Sequence, residues 1–167
     1  DYRLIYIESG EGVIQIDGID YNIKPGQILL WLPGKKYKYL PNEDSCFSSY
    51  GINFDYTDKF SSTYKNPIIP DIPSKFDNNK TLEIIDFENI TEFNNTISFP
   101  NSKIFEKQFK YIYDEYLSHK TLYSIKLRAM LLLLLNDIAV KIVTKEKDSE
   151  TENKNRQIVN DILLYIK

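Results

Sequence analysis

The feature that most constrains the fold is a series of six short apolar and aromatic segments in residues 1–54, the first four of which are each followed by a tight-turn signal. The segments are RLIYI, VIQI, YNI, ILLWL, YKYL and FSSYGINF. The turns contain SGEG, Asp17-Gly18, KPGQ and Pro33-Gly34, all compositions that favour reversals of the chain. Because no helical period intervenes, this spacing predicts a β-sandwich or small barrel.

The hydrophobic period becomes helical after Ser102, which is a candidate N-cap. A first stripe consists of Phe105, Phe109, Ile112 and Tyr116. A second helix is predicted from about Thr121 to Lys145, and a third is predicted to start near Asn155. Between them, residues 145–156 are almost wholly polar and charged and are interpreted as a linker.

The second predicted helix is apolar on more than one side. Its main stripe consists of Leu131, Leu135, Ile138 and Ile142. Leu133 and Val140 lie nearly opposite this stripe, so a second element must cover them, for which a partner subunit is a candidate. The residues predicted to take part in dimerisation are Leu131, Leu134, Leu135, Ile138 and Ile142.

Residues 55–101 give a weaker pattern. The segment NPIIPDIPSKFDNNK is rich in Pro, Asp and Asn and is interpreted as a loop, whereas LEIIDF is a candidate strand.

Composition limits the functional class. The net charge of −3 and pI near 5.3 lack the basic footprint of a nucleic-acid binder. The longest apolar run, Met130 to Leu135, is too short to span a bilayer, and the single Cys46 forms no internal disulfide, so we expect a cytoplasmic location with no membrane partner. Because Met130 is the only methionine and the chain stops within an apolar helical pattern, we expect a piece of a longer protein.

Residues that could perform catalysis are few. The single histidine, His119, lies between two helical segments and far from the strands, and no pattern places Cys46 near it. The carboxylates Glu8, Glu11, Asp17 and Asp20 flank turns, where they are ordinarily solvated. We therefore predict no enzymatic activity, no metal site and no cofactor.

Aromatic residues are the main candidates for binding. Tyr37 and Tyr39 are two positions apart on one predicted strand and share a face, while Trp31 and Tyr50 lie on strands expected to be neighbours. These residues favour either a ligand cavity or a packed barrel interior, and the sequence leaves both interpretations open.

The ordered motifs carry a family resemblance. The segment YRLIYIESGEGVIQIDGIDYNIKPGQILLWLPGKKYKY resembles the cupin-type sensor domain of AraC-family transcription regulators, and TISFPN followed by two helices resembles the rest of that sensor half. The resemblance implies a small-molecule effector, sugars being one candidate class, and a homodimer. It also implies a C-terminal helix-turn-helix half that binds DNA and is absent from this sequence.

The resemblance also suggests site residues. Positions that contact effector in sugar-sensing relatives match Ser9, Tyr39, Ser49 and Gly51, of which Tyr39 is the residue type best suited to stacking on a sugar. Where metal-dependent cupins carry a histidine ligand, this chain carries Tyr37, so we expect a metal-free barrel. With the aromatics, the predicted ligand-binding set is Ser9, Trp31, Tyr37, Tyr39, Ser49 and Gly51.

The predicted fold is α+β, a cupin-like (jelly-roll) β-barrel followed by two antiparallel helices and a terminal linker helix. The predicted parts are a barrel in residues 1–100, a helical dimerisation region in 101–147, and a linker with a first helix in 148–167. The alternatives are a cupin-type enzyme, an isomerase or dioxygenase, and an interaction module with a filled barrel.

Overall fold

The structure is a computed structural model that describes residues 1–40, 46–56, 84–88, 91–100 and 102–165. All six strands predicted in residues 1–54 are present, and a seventh follows later in the chain. The strands are β1 (Tyr2–Gly10), β2 (Gly12–Ile16), β3 (Ile19–Ile23), β4 (Ile28–Trp31), β5 (Tyr37–Leu40), β6 (Phe47–Phe54) and β7 (Ile97–Phe99).

The strands form two antiparallel sheets. One has the order β6-β1-β4-β7 and the other β3-β2-β5. Ile5 and Ile7, which lie on one face of β1, join a buried cluster to which both sheets contribute. The other members of the cluster are Ile14, Ile16, Ile23, Leu29 and Trp31. The two sheets therefore face each other across a largely aliphatic core, and the predicted α+β fold is confirmed.

The Asp17-Gly18 hairpin forms as predicted between β2 and β3. Ile16 pairs with Ile19, so the loop has two residues, and their φ angles are 48° at Asp17 and 84° at Gly18. A two-residue turn with both φ angles positive matches the right-handed twist of the strands, which explains why this dipeptide is favoured. The Asp17 carboxylate accepts a hydrogen bond from the Lys36 backbone at 2.9 Å and pairs with Lys35 at 2.8 Å.

The second face of β1 packs on the start of helix α1 (Glu106–Ser118). Tyr6 stacks on Phe109 with ring centroids 5.3 Å apart, and its hydroxyl donates a hydrogen bond to Glu106 at 3.2 Å. Of the predicted helical stripe, Phe105, Phe109 and Ile112 are buried, whereas Tyr116 is exposed.

Residues 84–100 differ from the sequence interpretation. Within the described part of LEIIDF, residues 84–87 form no strand; instead the Ile85 backbone donates to the Tyr2 hydroxyl at 2.9 Å. A short 3₁₀ helix (Thr91–Asn94) and β7 follow, and β7 pairs with β4. The predicted loop NPIIPDIPSKFDNNK falls outside the described residues.

Residue contacts divide the chain into two compact units, Asp1–Tyr113 and Asp114–Lys167. The second unit holds the end of α1 and the long helix α2 (Tyr123–Tyr165). Here the structure differs from the predicted linker, because α2 continues without a break through residues 145–156. This segment contains neither Gly nor Pro, and its Lys and Glu residues are good helix formers, so a polar composition alone does not end the helix. In the part of the chain that the structure describes, no helix has the length and apolar character needed to cross a membrane.

Candidate functional site

The candidate site lies on the side where, among the described strands, both sheets end. β5 is an edge of the three-stranded sheet and β6 is an edge of the four-stranded sheet. Tyr39 of β5 and Phe47 of β6 contact each other across this side, with ring centroids 5.5 Å apart. Side chains from both sheets therefore meet on this side of the molecule.

Arg3 is the centre of this site. Its guanidinium carbon lies 4.7 Å from the centroid of the Tyr37 ring and 5.8 Å from that of Trp31, both within the range of cation–π attraction. One terminal nitrogen donates to the Tyr37 hydroxyl and the other donates to the Tyr39 hydroxyl at 3.3 Å. We refer to Arg3, Trp31, Tyr37 and Tyr39 together as the Arg3 cradle.

The pairing of strands explains how the cradle forms. Arg3 stands opposite Trp31 in the register of β1 with β4, and Tyr37 stands opposite Ile16 in the register of β2 with β5. Because strand side chains alternate between faces, these positions place the aromatic rings of β4 and β5 and the Arg3 side chain on the inward faces of opposing sheets. Trp31 and Tyr37 then meet with ring centroids 5.2 Å apart.

The cradle is partly removed from water. The Arg3 Nε atom is buried and has no hydrogen-bond partner among the described residues, and burial raises the pKa of Tyr39 above its ordinary value. The ion pairs between described residues include Lys35 with Asp17 and Lys126 with Glu115, and neither involves Arg3. The positive charge of Arg3 is thus held by neutral hydroxyls and ring faces.

Four of the six predicted ligand-binding residues lie at the cradle. Trp31, Tyr37 and Tyr39 belong to it, and Gly51 borders it, since a Cβ built at Gly51 would lie 3.9 Å from an Arg3 terminal nitrogen. The absence of a side chain at Gly51 keeps the approach to the guanidinium open from β6.

The two predicted serines lie further along the strands. Ser49 is exposed and pairs with Ile7. It lies two residues before Gly51 on β6, on the same face of the strand. Ser9 is also exposed and follows a shift in the register of β1, where it pairs with Ser48. Neither serine is part of the cradle.

Sequence reasoning did not identify Arg3 as a binding residue. The available signal was its position two residues before Ile5 and four before Ile7, which places a cation on the apolar, inward side of β1. A charged residue at such a position requires either partners or a function.

The five residues predicted for dimerisation lie on one side of α2. Leu134, Leu135, Ile138 and Ile142 are buried within the single chain, and Leu131 is half-buried. Within residues 123–144 of α2, whose side chains the structure describes, the large exposed apolar side chains are Ile125, Leu132, Leu133 and Val140. They correspond to the second apolar side seen in the sequence.

Residue types suited to metal binding do not gather in this region. Across the described ranges, no three His, Cys, Asp or Glu side chains lie close enough together to hold a metal ion. Tyr37, at the position of a histidine ligand in metal-dependent cupins, instead accepts a hydrogen bond from Arg3.

Comparison with known proteins adds one finding. Residues 1–63 match the AraC-like ligand binding domain, a cupin-like domain found in regulators. No curated protein matches the chain significantly. The matched range includes strands β1 to β6 and every member of the Arg3 cradle. Over residues 1–63, the chain is therefore similar to the AraC-like ligand binding domain.

Proposed function

We propose that the chain is the effector-sensing and dimerisation part of an AraC-family transcription regulator. The observation that carries this proposal is the Arg3 cradle, a set of aromatic walls and convergent polar groups within the matched ligand-binding domain. Sites of this composition, apolar with a few oriented polar groups, are typical of small-molecule binding.

Strand β1 offers a route from effector to helix. Its inward face carries Arg3, while its opposite face carries Tyr6, which stacks on Phe109 and donates to Glu106 of α1. If β1 can occupy two alternative placements, an effector that binds one of them more tightly shifts the equilibrium toward it. The free energy of this shift cannot exceed the difference in binding free energy between the two placements. The Tyr6 contacts then move the start of α1 with the strand.

The homodimer is proposed to form through the exposed side of α2. Ile125, Leu132, Leu133 and Val140 are spaced by seven, one and seven residues, which brings them to one side of a helix. Since four of the five residues first predicted are already buried in the chain, these exposed residues are better placed to contact a partner.

The parts of the regulator follow from this assignment. Residues 1–100 are the effector-binding barrel, 101–147 the dimerisation region, and 148–167 lead to a C-terminal helix-turn-helix half that binds DNA. The acidic balance of this chain, with a net charge of −3, agrees with a division in which the phosphate-binding residues lie in the other half.

Thermal unfolding of the 167-residue chain in the presence of small-molecule libraries tests the receptor role. At concentrations above its Kd, an effector raises the free energy of unfolding in proportion to the logarithm of its concentration. The melting temperature therefore rises with effector concentration. We expect Tyr39→Ala to abolish this rise and Tyr111→Ala, on the exposed surface of α1, to preserve it.

The fate of the bound compound separates the alternatives. A receptor returns its ligand unchanged after prolonged incubation, as measured by NMR, whereas conversion of the ligand would favour a cupin-type enzyme. If no compound stabilises the chain, the filled-barrel interaction module becomes the better interpretation.

A further inference from the structure

Arg3 is a cation whose described contacts are all neutral. We propose that the effector carries an anionic group, in the first place a carboxylate, and that this group binds the Arg3 guanidinium. This inference rests on the proposed receptor function and adds the chemical class of its ligand.

The hydrogen bonds of Arg3 leave donors for a ligand. A guanidinium has five N–H donors, and two of the Arg3 donors are used by the hydroxyls of Tyr37 and Tyr39. Nε, which is buried, has no partner in the structure. A carboxylate can accept two parallel hydrogen bonds from such a group, in the forked geometry that makes arginine a preferred carboxylate partner.

Burial strengthens the argument for a charged ligand. A cation taken partly out of water loses hydration that neutral hydroxyls and ring faces replace only in part. A carboxylate supplies the missing counter-charge in a site of reduced polarity, where the attraction is greater than in water. Each tyrosine hydroxyl that accepts from Arg3 also has its own proton, which it can donate to a ligand oxygen.

The surrounding residues indicate what the anion is attached to. Tyr39 and Phe47 provide ring surfaces, Trp31 is buried beneath the guanidinium contact, and Gly51 has no side chain above Ile5, where an added Cβ would be in ordinary contact with the Ile5 methyl group at 3.7 Å. These walls suit an organic acid with an aromatic or aliphatic body better than a bare inorganic anion.

Cations on β5 of the opposite sheet, and in the turn before it, provide a contrast. Lys35, Lys36 and Lys38 line an open groove of about 820 Å³ together with Asp17, to which Lys35 is paired, and with Tyr37 of the cradle. Lys38 lies between Tyr37 and Tyr39 on β5, so its side chain points to the opposite face of the strand. It is therefore a matched control, with the same charge on a strand of the site but outside the cradle.

Calorimetric titration of the 167-residue chain with matched pairs of compounds tests the proposal. The pairs are benzoate and benzamide, 3-phenylpropionate and 3-phenylpropionamide, and octanoate and octanamide, with arabinose and glucose as neutral sugars. We expect at least one acid to bind with a Kd on the order of ten-fold or more below that of its amide, since a hydrogen bond to a charged group contributes more than one to a neutral group.

Substitutions assign the difference to Arg3. We expect Arg3→Met to weaken binding of the acid by about 10- to 100-fold, Arg3→Gln to weaken it similarly, and Arg3→Lys to retain part of the affinity. Lys38→Met, which changes the net charge equally, should leave the Kd unchanged. Thermal unfolding of each ligand-free variant establishes that it folds.

The outcomes separate the two proposals. If amides or sugars bind as tightly as the acids, the anionic class is overturned and the receptor function stands. If no compound of any class binds, and no library compound stabilises the chain, the receptor function fails as well. If Arg3→Met weakens binding of the acid and of the amide equally, Arg3 maintains the cradle and does not bind an anion. Should Arg3→Met fail to fold, the ratio of the acid Kd to the amide Kd, compared between the wild type and Arg3→Lys, decides the question.

Discussion

Arg3 and Trp31 stand opposite each other on β1 and β4, and the Arg3 guanidinium carbon lies 5.8 Å from the centroid of the indole ring. Tyr37 approaches the same guanidinium from the other sheet, at 4.7 Å. Arg3 thus contacts a ring of its own sheet and is joined to the other sheet by the Tyr37 ring and by the hydroxyls of Tyr37 and Tyr39, so we expect the cradle to contribute to stability as well as to the proposed recognition of effector.

Removal of the Tyr37 hydroxyl tests the structural part of this role. Tyr37→Phe keeps the ring but removes an acceptor from Arg3, and we expect the free energy of unfolding to fall by about 1 kcal/mol in urea denaturation. Tyr39→Phe should cost less, because its hydrogen bond is 3.3 Å long. Tyr111→Phe, on the exposed surface of α1, serves as the control; equal values for all three variants would contradict a contribution from the cradle.

Sequence reasoning predicted the strands and the shared face of Tyr37 and Tyr39 because both follow from local rules. Turn residues mark the ends of strands, and alternation within β5 assigns its two tyrosines to one side. Arg3 could not be assigned in this way. Its partners are separated from it by 34 and 36 residues, and they meet it only through the registers of β4 and β5 and the packing of two sheets.

The interpretation of α2 shows the opposite difficulty. A polar run between two apolar stripes predicts a linker by composition, yet α2 continues through it. Helix formation depends on the absence of Gly and Pro and on backbone hydrogen bonds, neither of which requires apolar residues. Hydrophobic period alone therefore locates the packed parts of a helix better than its ends.

A second prediction concerns Gly10, at the turn between β1 and β2, which lies close to the backbone at the start of β6. A Cβ at Gly10 would lie 2.0 Å from the Cys46 carbonyl oxygen, and Gly10 has a φ of 77°. We expect Gly10→Ala to lower the free energy of unfolding by more than about 2 kcal/mol, through backbone displacement and left-handed strain.

Gly18→Ala is the matched control for Gly10→Ala. Gly18 has a φ of 84°, but nothing lies within 4 Å of an added Cβ. Its substitution should cost only the conformational strain, about 1 kcal/mol. Urea denaturation of both variants compares the two costs, and a Gly10 variant no less stable than the Gly18 variant would argue against the close approach.

Alkaline pH tests the contact between Tyr6 and Glu106. Burial and the Glu106 carboxylate raise the pKa of Tyr6 from 10.0 to about 12. The folded state therefore holds the Tyr6 proton more tightly than the unfolded state. The resulting stabilisation is complete below pH 10 and is lost as the pH rises through about 12.

Urea denaturation at a series of pH values above 9 measures this dependence. The slope of unfolding free energy against pH reports how many more protons the folded state binds than the unfolded state. We expect Tyr6→Phe to reduce this difference by up to about one proton, and Glu106→Gln to reduce it in part. Tyr111→Phe, at an exposed position, should leave the slope unchanged. A slope that is the same in the wild type and Tyr6→Phe would show that Tyr6 ionises with its ordinary pKa.

The last prediction concerns Leu133 and Leu134, adjacent residues with opposite environments on α2. Leu133 is 63% exposed in the single chain, whereas Leu134 is 0% exposed. If the exposed side of α2 joins two copies, sedimentation equilibrium should find a dimer in the wild type and a monomer in Leu133→Glu, because a carboxylate would be buried in the interface without a partner. Leu134→Ala should instead lower the free energy of unfolding by about 2 to 4 kcal/mol through the cavity it leaves. A wild type that stays monomeric at its highest soluble concentration, or a Leu133→Glu variant that remains dimeric, would refute this interface.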